Sequence, residues 1–458
     1  MAAFLPSIKD TRAIFARLHA RLGDFWWYSL MLFCACRAAD LLNAFVGLWL
    51  VPKYIDPSEL GAVQPLTQFA EFLAIPIAAF ANTFRNELTR LSINKEFGKL
   101  KTLMRGVFVA TAVFLFLAII LAHFLLPAFL ERIRIVEGSL GLVIIAASFI
   151  GAVAPIYSNA LQALKKFKAQ SILSIFGAPV RLIAMLVAMP FRAITGYFVG
   201  QTSVSVFTIS ASVISLNKEL SGKAEPYWNR DVCRKYITIF AIFAMWSLSV
   251  RGYTLTESTI LRQRLPDIDS AGYYIATRFS EIASFLAATL SFTIFPFSAY
   301  QAANNVDTRP LILKALFANA AFCMLIALPF LIFGRQILFL VPNGVQYAQF
   351  WWAIPWLIML TWLSSIFGFF STAEVAANRF GFLKWAVPLD SVYATILILI
   401  TGHGYFTGFI PASWSEYLSA HNIYSLQTML WWMTAFNIIK TMFCIAAMAR
   451  VHIRKAYQ

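Results

Sequence analysis

The stretch AGYYIATRFSEIASF, Ala271–Phe285, opens an apolar run that extends to Ala299, yet it carries Arg278 and Glu281 three residues apart. At that spacing the two side chains share one face of a helix and can pair. Pairing makes a charged helix tolerable in low dielectric. It does not explain why charges are there, since leucine at both positions would be cheaper.

The rest of the chain shows what kind of helix this is. Of 458 residues, 60% are hydrophobic and 13% charged, against about 25% charged in a soluble domain. Mean hydropathy is +0.71. A bilayer core takes about 20 apolar residues per helix, and twelve such runs can be marked: near 25–51, 60–84, 106–128, 139–163, 171–190, 195–215, 236–262, 271–299, 313–333, 347–370, 382–402 and 427–449. The fold class expected is an all-α polytopic membrane protein with about twelve transmembrane helices in two six-helix lobes around a central cavity.

The loops set the orientation. With the N-terminus in the cytoplasm, 25 Lys and Arg fall in cytoplasmic segments, 7 in outer loops and 5 within spans. Such a bias obeys the positive-inside rule and puts both termini in the cytoplasm. It also accounts for the net charge of +16 without nucleic acid, since anionic head groups attract basic loops. Residues 1–24 are basic, with Ile14, Phe15, Leu18 and Leu22 on one helical face, and are expected to lie on the membrane surface as an amphipathic segment.

Asn217–Tyr236, basic and carrying Gly and Pro, divides the chain. The expected organisation is an N-lobe at 25–216, a cytoplasmic linker at 217–235 and a C-lobe at 236–458 with a short tail. The two lobes begin alike. Arg37 is followed by PKYIDPSELGAV and then by Glu71, and Arg251 by RLPDIDSAGYY and then by Glu281. Parallel repeats of this kind suit a two-lobed transporter with a central path.

Ten ionisable residues fall inside spans: Arg37, Asp40, Glu71, Arg181, Arg251, Glu257, Arg278, Glu281, Asp390 and Lys440. Such residues face a bundle interior or a wet cavity. Arg37 with Asp40 repeats the spacing of Arg278 with Glu281. Arg37, Arg251 and Lys440 are expected to point into one cavity between the lobes. Tyr253, Tyr273, Tyr274 and Trp246 suit either sugar stacking or interface anchoring, and Pro76, Pro155, Pro179, Pro296 and Pro355 suit helix bends. Five histidines without paired spacing and five scattered cysteines offer no metal site. With no G-x-x-x-x-G-K-[ST] motif, the chain is expected to be a transporter and not an ATPase or other enzyme.

Two six-span lobes, a basic loop after the second span and DSAGYYIATRFSEIASFLAATLSFTIFPFSAY, Asp269–Tyr300, resemble the Wzx-type polysaccharide flippases of the multidrug/oligosaccharidyl-lipid/polysaccharide exporter superfamily. SELGAVQPLTQFAEFLAIPIAAF in the first half is a weaker echo. The resemblance implies translocation of an undecaprenyl-diphosphate-linked oligosaccharide from the inner to the outer leaflet, for O-antigen (lipopolysaccharide) or exopolysaccharide assembly, beside a polysaccharide polymerase and glycosyltransferases. Coupling would be to a cation gradient, H⁺ or Na⁺, with no other cofactor.

Basic cavity residues are a theme of that family. Arg37, Arg181, Arg251, Arg278 and Lys440 are the substrate-binding candidates, since an arginine fork offers bidentate contacts to phosphate. Asp40, Glu71, Glu257, Glu281 and Asp390 are the ion-coupling candidates. Rival readings are a MATE-like exporter of small cations and, further off, a membrane-embedded O-antigen ligase or polymerase. The latter would need a sizeable outer loop with catalytic Arg or His, whereas the largest candidate, Gly402–Ser425, carries His403, Glu416 and His421 but no Lys or Arg. Reporter fusions after Lys218 and after Gln458 should both read cytoplasmic; a periplasmic signal from either breaks this topology.

Overall fold

In the computed structural model, the described residues are 36–135, 140–164, 166–303, 306–377, 379–401 and 425–456. The expected amphipathic segment 1–24 and the outer loop at 402–424 lie outside them. Among the described residues every regular element is helical. The long elements are α1 (36–54), α2 (Val63–Leu73), α3 (Ile75–Ile93), α4 (Phe97–Arg132), α5 (Leu140–Ala163), α6 (Phe167–Ala188) and α7 (Ala193–Leu220) in the first half. The second half holds α8 (Arg230–Arg264), α9 (Asp267–Ala303), α10 (Arg309–Leu338), α11 (Ala353–Ala376), α12 (Leu383–Thr401) and α13 (Leu426–Ala456).

Eight of these are long and apolar enough to cross a bilayer alone, and α2 and α3, joined as one bent unit, make nine. Helices α1, α9 and α12 stand where the sequence predicts the remaining spans. The chain is an all-α polytopic membrane protein. Phe116, Phe124, Leu142, Phe317 and Met324 are exposed on its flanks, as hydrocarbon-facing residues are.

Backbone chemistry shapes the helices that surround the centre. The unit containing α2 and α3 bends by 53° at Ala74, where Pro76 removes the N–H that would meet the Phe72 carbonyl. Pro155 and Pro179 lie inside α5 and α6, whereas Pro355 sits in the first turn of α11 and bends nothing. Helix α1 widens into a π-turn at Val46–Leu50. Within it, a Cβ on Gly47 would lie 3.0 Å from Arg278 Cδ, so the glycine gives the arginine stem its passage.

Within the first half, α7 packs on α5 and α6, and α5 packs on α3. Within the second, α11 is central, against α9, α10 and α13, while α8 packs on α12. The halves meet where α8 lies along α2 and α3.

The segment between α7 and α8 is not loose. Glu225 N–H donates to the Gly98 carbonyl (3.2 Å), the Thr102 hydroxyl to the Glu225 carbonyl (2.6 Å) and Lys101 to the Gly222 carbonyl (2.8 Å). Gly98 and Gly106 admit this strap: a Cβ on either would lie 2.6 Å from Glu225 or Trp228. Tyr227 donates to Glu87 (2.8 Å), which Arg90 also engages. Burial pushes the Glu87 carboxyl up, but hydrogen bonds from Arg90, Tyr236 and Tyr227 outweigh it and leave the group below its ordinary value of 4.5. Its contribution to stability is therefore present above that value and lost as pH falls through the depressed one. Glu87→Gln should lower the unfolding midpoint in detergent at pH 7, and the gap to the unmutated chain should close as pH falls through the carboxyl's depressed value; a gap independent of pH would refute this role.

Candidate functional site

Between the halves lies a cavity of about 500 Å³. Helix α1 contributes Arg37, Asp40, Asn43 and Gly47, and α2 contributes Thr67 and Glu71. Helices α6 and α7 add Arg181, Tyr197 and Gln201, and α9 adds Tyr274, Arg278, Glu281, Ser284 and Phe285. A neighbouring void of about 290 Å³ shares Asp40, Asn43, Arg181 and Gln201 with it.

Each guanidinium on the wall is held by a different set of acceptors. Arg37 pairs with Asp40 (2.9 Å) and donates across to the Phe285 carbonyl (2.6 Å). Arg181 donates to Asn43 Oδ1 (2.9 Å) and stands over the Tyr197 ring. Arg278 pairs with Glu281 (2.9 Å), reaches Gln64 of the first half and lies 4.9 Å from the Tyr274 ring centroid. The Nε atoms of Arg181 and Arg278 are buried with no hydrogen-bond partner. Three arginines from α1, α6 and α9 thus converge on one space, with Asp40, Glu71 and Glu281 beside them.

No protein-family model matches the sequence, and no curated protein is recognisably similar to it. Solved structures are similar along nearly the whole chain. An inward-facing multidrug-resistance MATE-family transporter of the MOP superfamily has a TM-score of 0.63 at 10% identity, covering 93% of this chain and 99% of its own. The Vibrio cholerae MATE transporter VcmN has a TM-score of 0.63 at 16% identity, with 95% and 97% coverage. The lipid II flippase MurJ, in an inward closed conformation, has 0.62 at 13%, with 91% and 87%. The chain has the fold of the MOP-superfamily transporters.

In this MOP-superfamily fold the ten candidates separate into two groups. Arg37, Asp40, Glu71, Arg181, Arg278 and Glu281 line the cavity. Arg251, on α8, joins them as the partner of Glu71. Both i,i+3 pairs read from the sequence form.

Glu257, Asp390 and Lys440 lie elsewhere, within the second half. Lys440 pairs with Asp390 at 2.6 Å, their side chains 5% and 0% exposed. Ser249 also donates to Asp390 (2.8 Å), and Phe367 lies 4.1 Å from the ammonium group. Glu257 accepts from Tyr393 (2.7 Å) beside a space too small for a water. The expected meeting of Arg37, Arg251 and Lys440 in one cavity does not occur. Residue position along a span gives depth in the membrane but not the face, and Asp390 draws Lys440 into the dry interior of its own half.

The four rings suited to sugar stacking or interface anchoring are placed differently from one another. Tyr253 packs on Tyr393 and Phe436 and Trp246 on Phe382; of the four, Tyr274 reaches the cavity, beneath Arg278. Sequence reasoning missed Asn43, Gln64, Tyr197 and Gln201, which are uncharged and give no signal against an apolar helix.

The two groups should respond differently to mutation. Lys440→Met strands a buried carboxylate and should cost about 3–5 kcal/mol of stability, most of it recovered in Lys440→Met/Asp390→Leu. Arg251→Ala breaks a pair that is 44% and 40% exposed and should cost less than about 1 kcal/mol. Thermal unfolding of the purified variants separates them, and equal losses would contradict the division into dry and wet groups.

Proposed function

We propose that this chain is a flippase that carries an undecaprenyl-diphosphate-linked oligosaccharide across the bacterial inner membrane by alternating access, for O-antigen or polysaccharide assembly. The single observation behind this is the convergence of Arg37, Arg181 and Arg278 on one cavity between the halves, with two Nε donors unfilled. A diphosphate supplies acceptors and charge for such a set. Asp40, Glu71 and Glu281 keep the empty cavity from being a strong positive well, and their protonation or Na⁺ binding is the coupling step we favour. The charge asymmetry of the loops supports an orientation with both termini in the cytoplasm.

A second reading, a MATE-like exporter of small cations, draws on the same three carboxylates and on the likeness to MATE structures. Expression in a strain lacking its O-antigen flippase distinguishes them. Restored surface polysaccharide supports the first; drug resistance without polysaccharide export supports the second. On the first reading, Arg278→Ala should reach the membrane at normal level and lose export by at least tenfold, or about 1.4 kcal/mol of transition-state binding. Arg278→Lys should retain partial export because charge remains while the fork is lost. Glu281→Gln should change the pH or Na⁺ dependence of export. Full export by Arg278→Ala would sink the assignment of Arg278 to substrate.

A further inference from the structure

The cavity ends at Gly47 and Tyr274, and beyond them the two halves are in direct contact. Arg262, near the end of α8, is at the centre of that contact and is 1% exposed. Its Nε donates to the Ile133 carbonyl (3.1 Å), one terminal nitrogen to the Ser58 carbonyl (2.7 Å) and the other to Asp267 Oδ1 (2.9 Å). Two acceptors are main-chain oxygens of the first half, and the third lies five residues on in the second half. Arg134, held at φ +61°, crosses the seam to Asp267 (2.9 Å) and to the Gln263 carbonyl (2.9 Å). Nearby the backbones approach closely, since a Cβ on Gly61 would lie 2.9 Å from the Ser270 main-chain carbonyl carbon and 2.2 Å from its Oγ.

We propose that Arg262 is the latch that holds the cavity closed at this end and that, resting on the transport reading above, its two carbonyl bonds break and re-form in each cycle. A contact that must part repeatedly has to be firm when shut without stranding a charge when open. Arg262 satisfies both requirements. Its counter-ion Asp267 travels with it, so the guanidinium keeps its charge partner when the halves separate. What it gives up are two bonds to neutral carbonyls, which water can replace. Arg134, its side chain 49% exposed, loses Asp267 into solvent at little cost. The Lys440–Asp390 pair has the opposite design, with both partners in one half and no route to water.

The test uses the full-length protein in lipid nanodiscs with its native cysteines replaced by serine. Spin labels at Lys53→Cys and Val345→Cys, exposed positions on this end in opposite halves, report the gap by pulsed dipolar spectroscopy without any substrate. Arg262→Ala should shift the closed-to-open ratio roughly tenfold or more toward the long distance, the worth of about two charge-assisted bonds. Arg262→Lys, with charge but no fork, should fall between. Arg335→Ala, an exposed charge at the same end, should change nothing. If Arg262→Ala does not fold, Ser270→Leu, a wedge at the Gly61 contact, should produce the same long distance. An unchanged distribution in folded Arg262→Ala overturns the latch, as does loss of folding in both Arg262→Ala and Ser270→Leu, which would make the seam part of the core. Because no substrate enters the measurement, a failed latch cannot be mistaken for failure of the polysaccharide assay.

Discussion

A guanidinium inside an apolar bundle needs acceptors for its N–H groups, and meeting that need organises the centre of this protein. Arg278 shows how much structure one such residue demands. Its charge is balanced by Glu281 one turn along α9, a terminal nitrogen is taken by Gln64 from the other half and its face is backed by Tyr274. Its stem passes Gly47, in the π-turn of α1. Helix widening with its glycine, an aromatic ring and a glutamine from three places in the chain are all arranged around one side chain. Leucine would need none of them, so the arrangement marks Arg278 as retained for something other than packing.

The same pairing chemistry serves two ends in the two halves. In the second half, Lys440 and Asp390 are sealed from solvent and ringed by aromatic side chains, and their attraction acts as a cross-link between α12 and α13. Around the cavity the pairs are more open: Glu71 and Arg251 are each about two-fifths exposed, and Arg181 donates to a neutral amide oxygen, that of Asn43. An open pair can exchange its partner for a ligand's phosphate or for a proton, whereas a sealed one cannot do so without dismantling the core. It is this difference in access, more than the number of charges, that assigns one group to a wet path and the other to the scaffold.

Much of this was legible in the sequence and some was not. Apolar run length is set by bilayer thickness, so the helices appear where runs of about 20 residues stand. The pairs Arg37–Asp40 and Arg278–Glu281 were legible because i,i+3 neighbours share a helix face whatever surrounds them. The partnership of Arg251 with Glu71 was not, since it depends on how α8 lies along α2. Lys440 was misplaced for the same reason: its depth could be counted, but the direction it points is set by Asp390, fifty residues away. Arg262 counted as one of the seven outer-loop cations and gave no sign of its role, because two of its three acceptors are carbonyls, which every residue possesses.

That last feature bears on how this seam can be studied through other sequences. Arg37 donates a hydrogen bond to the carbonyl of Phe285, Arg262 to those of Ser58 and Ile133, and Asn343 to that of Pro52. In each case a side chain of one half meets the main chain of the other. The donor is written in the genetic code and the acceptor is not, so drift at Ser58 or Ile133 leaves the bond intact provided the backbone keeps its course. Correlated substitution between positions, the usual signature of two segments in touch, has nothing to act on here. At these acceptor positions the halves can diverge while remaining joined, unlike at the side-chain pairs Arg251–Glu71 and Arg134–Asp267, where each partner constrains the other.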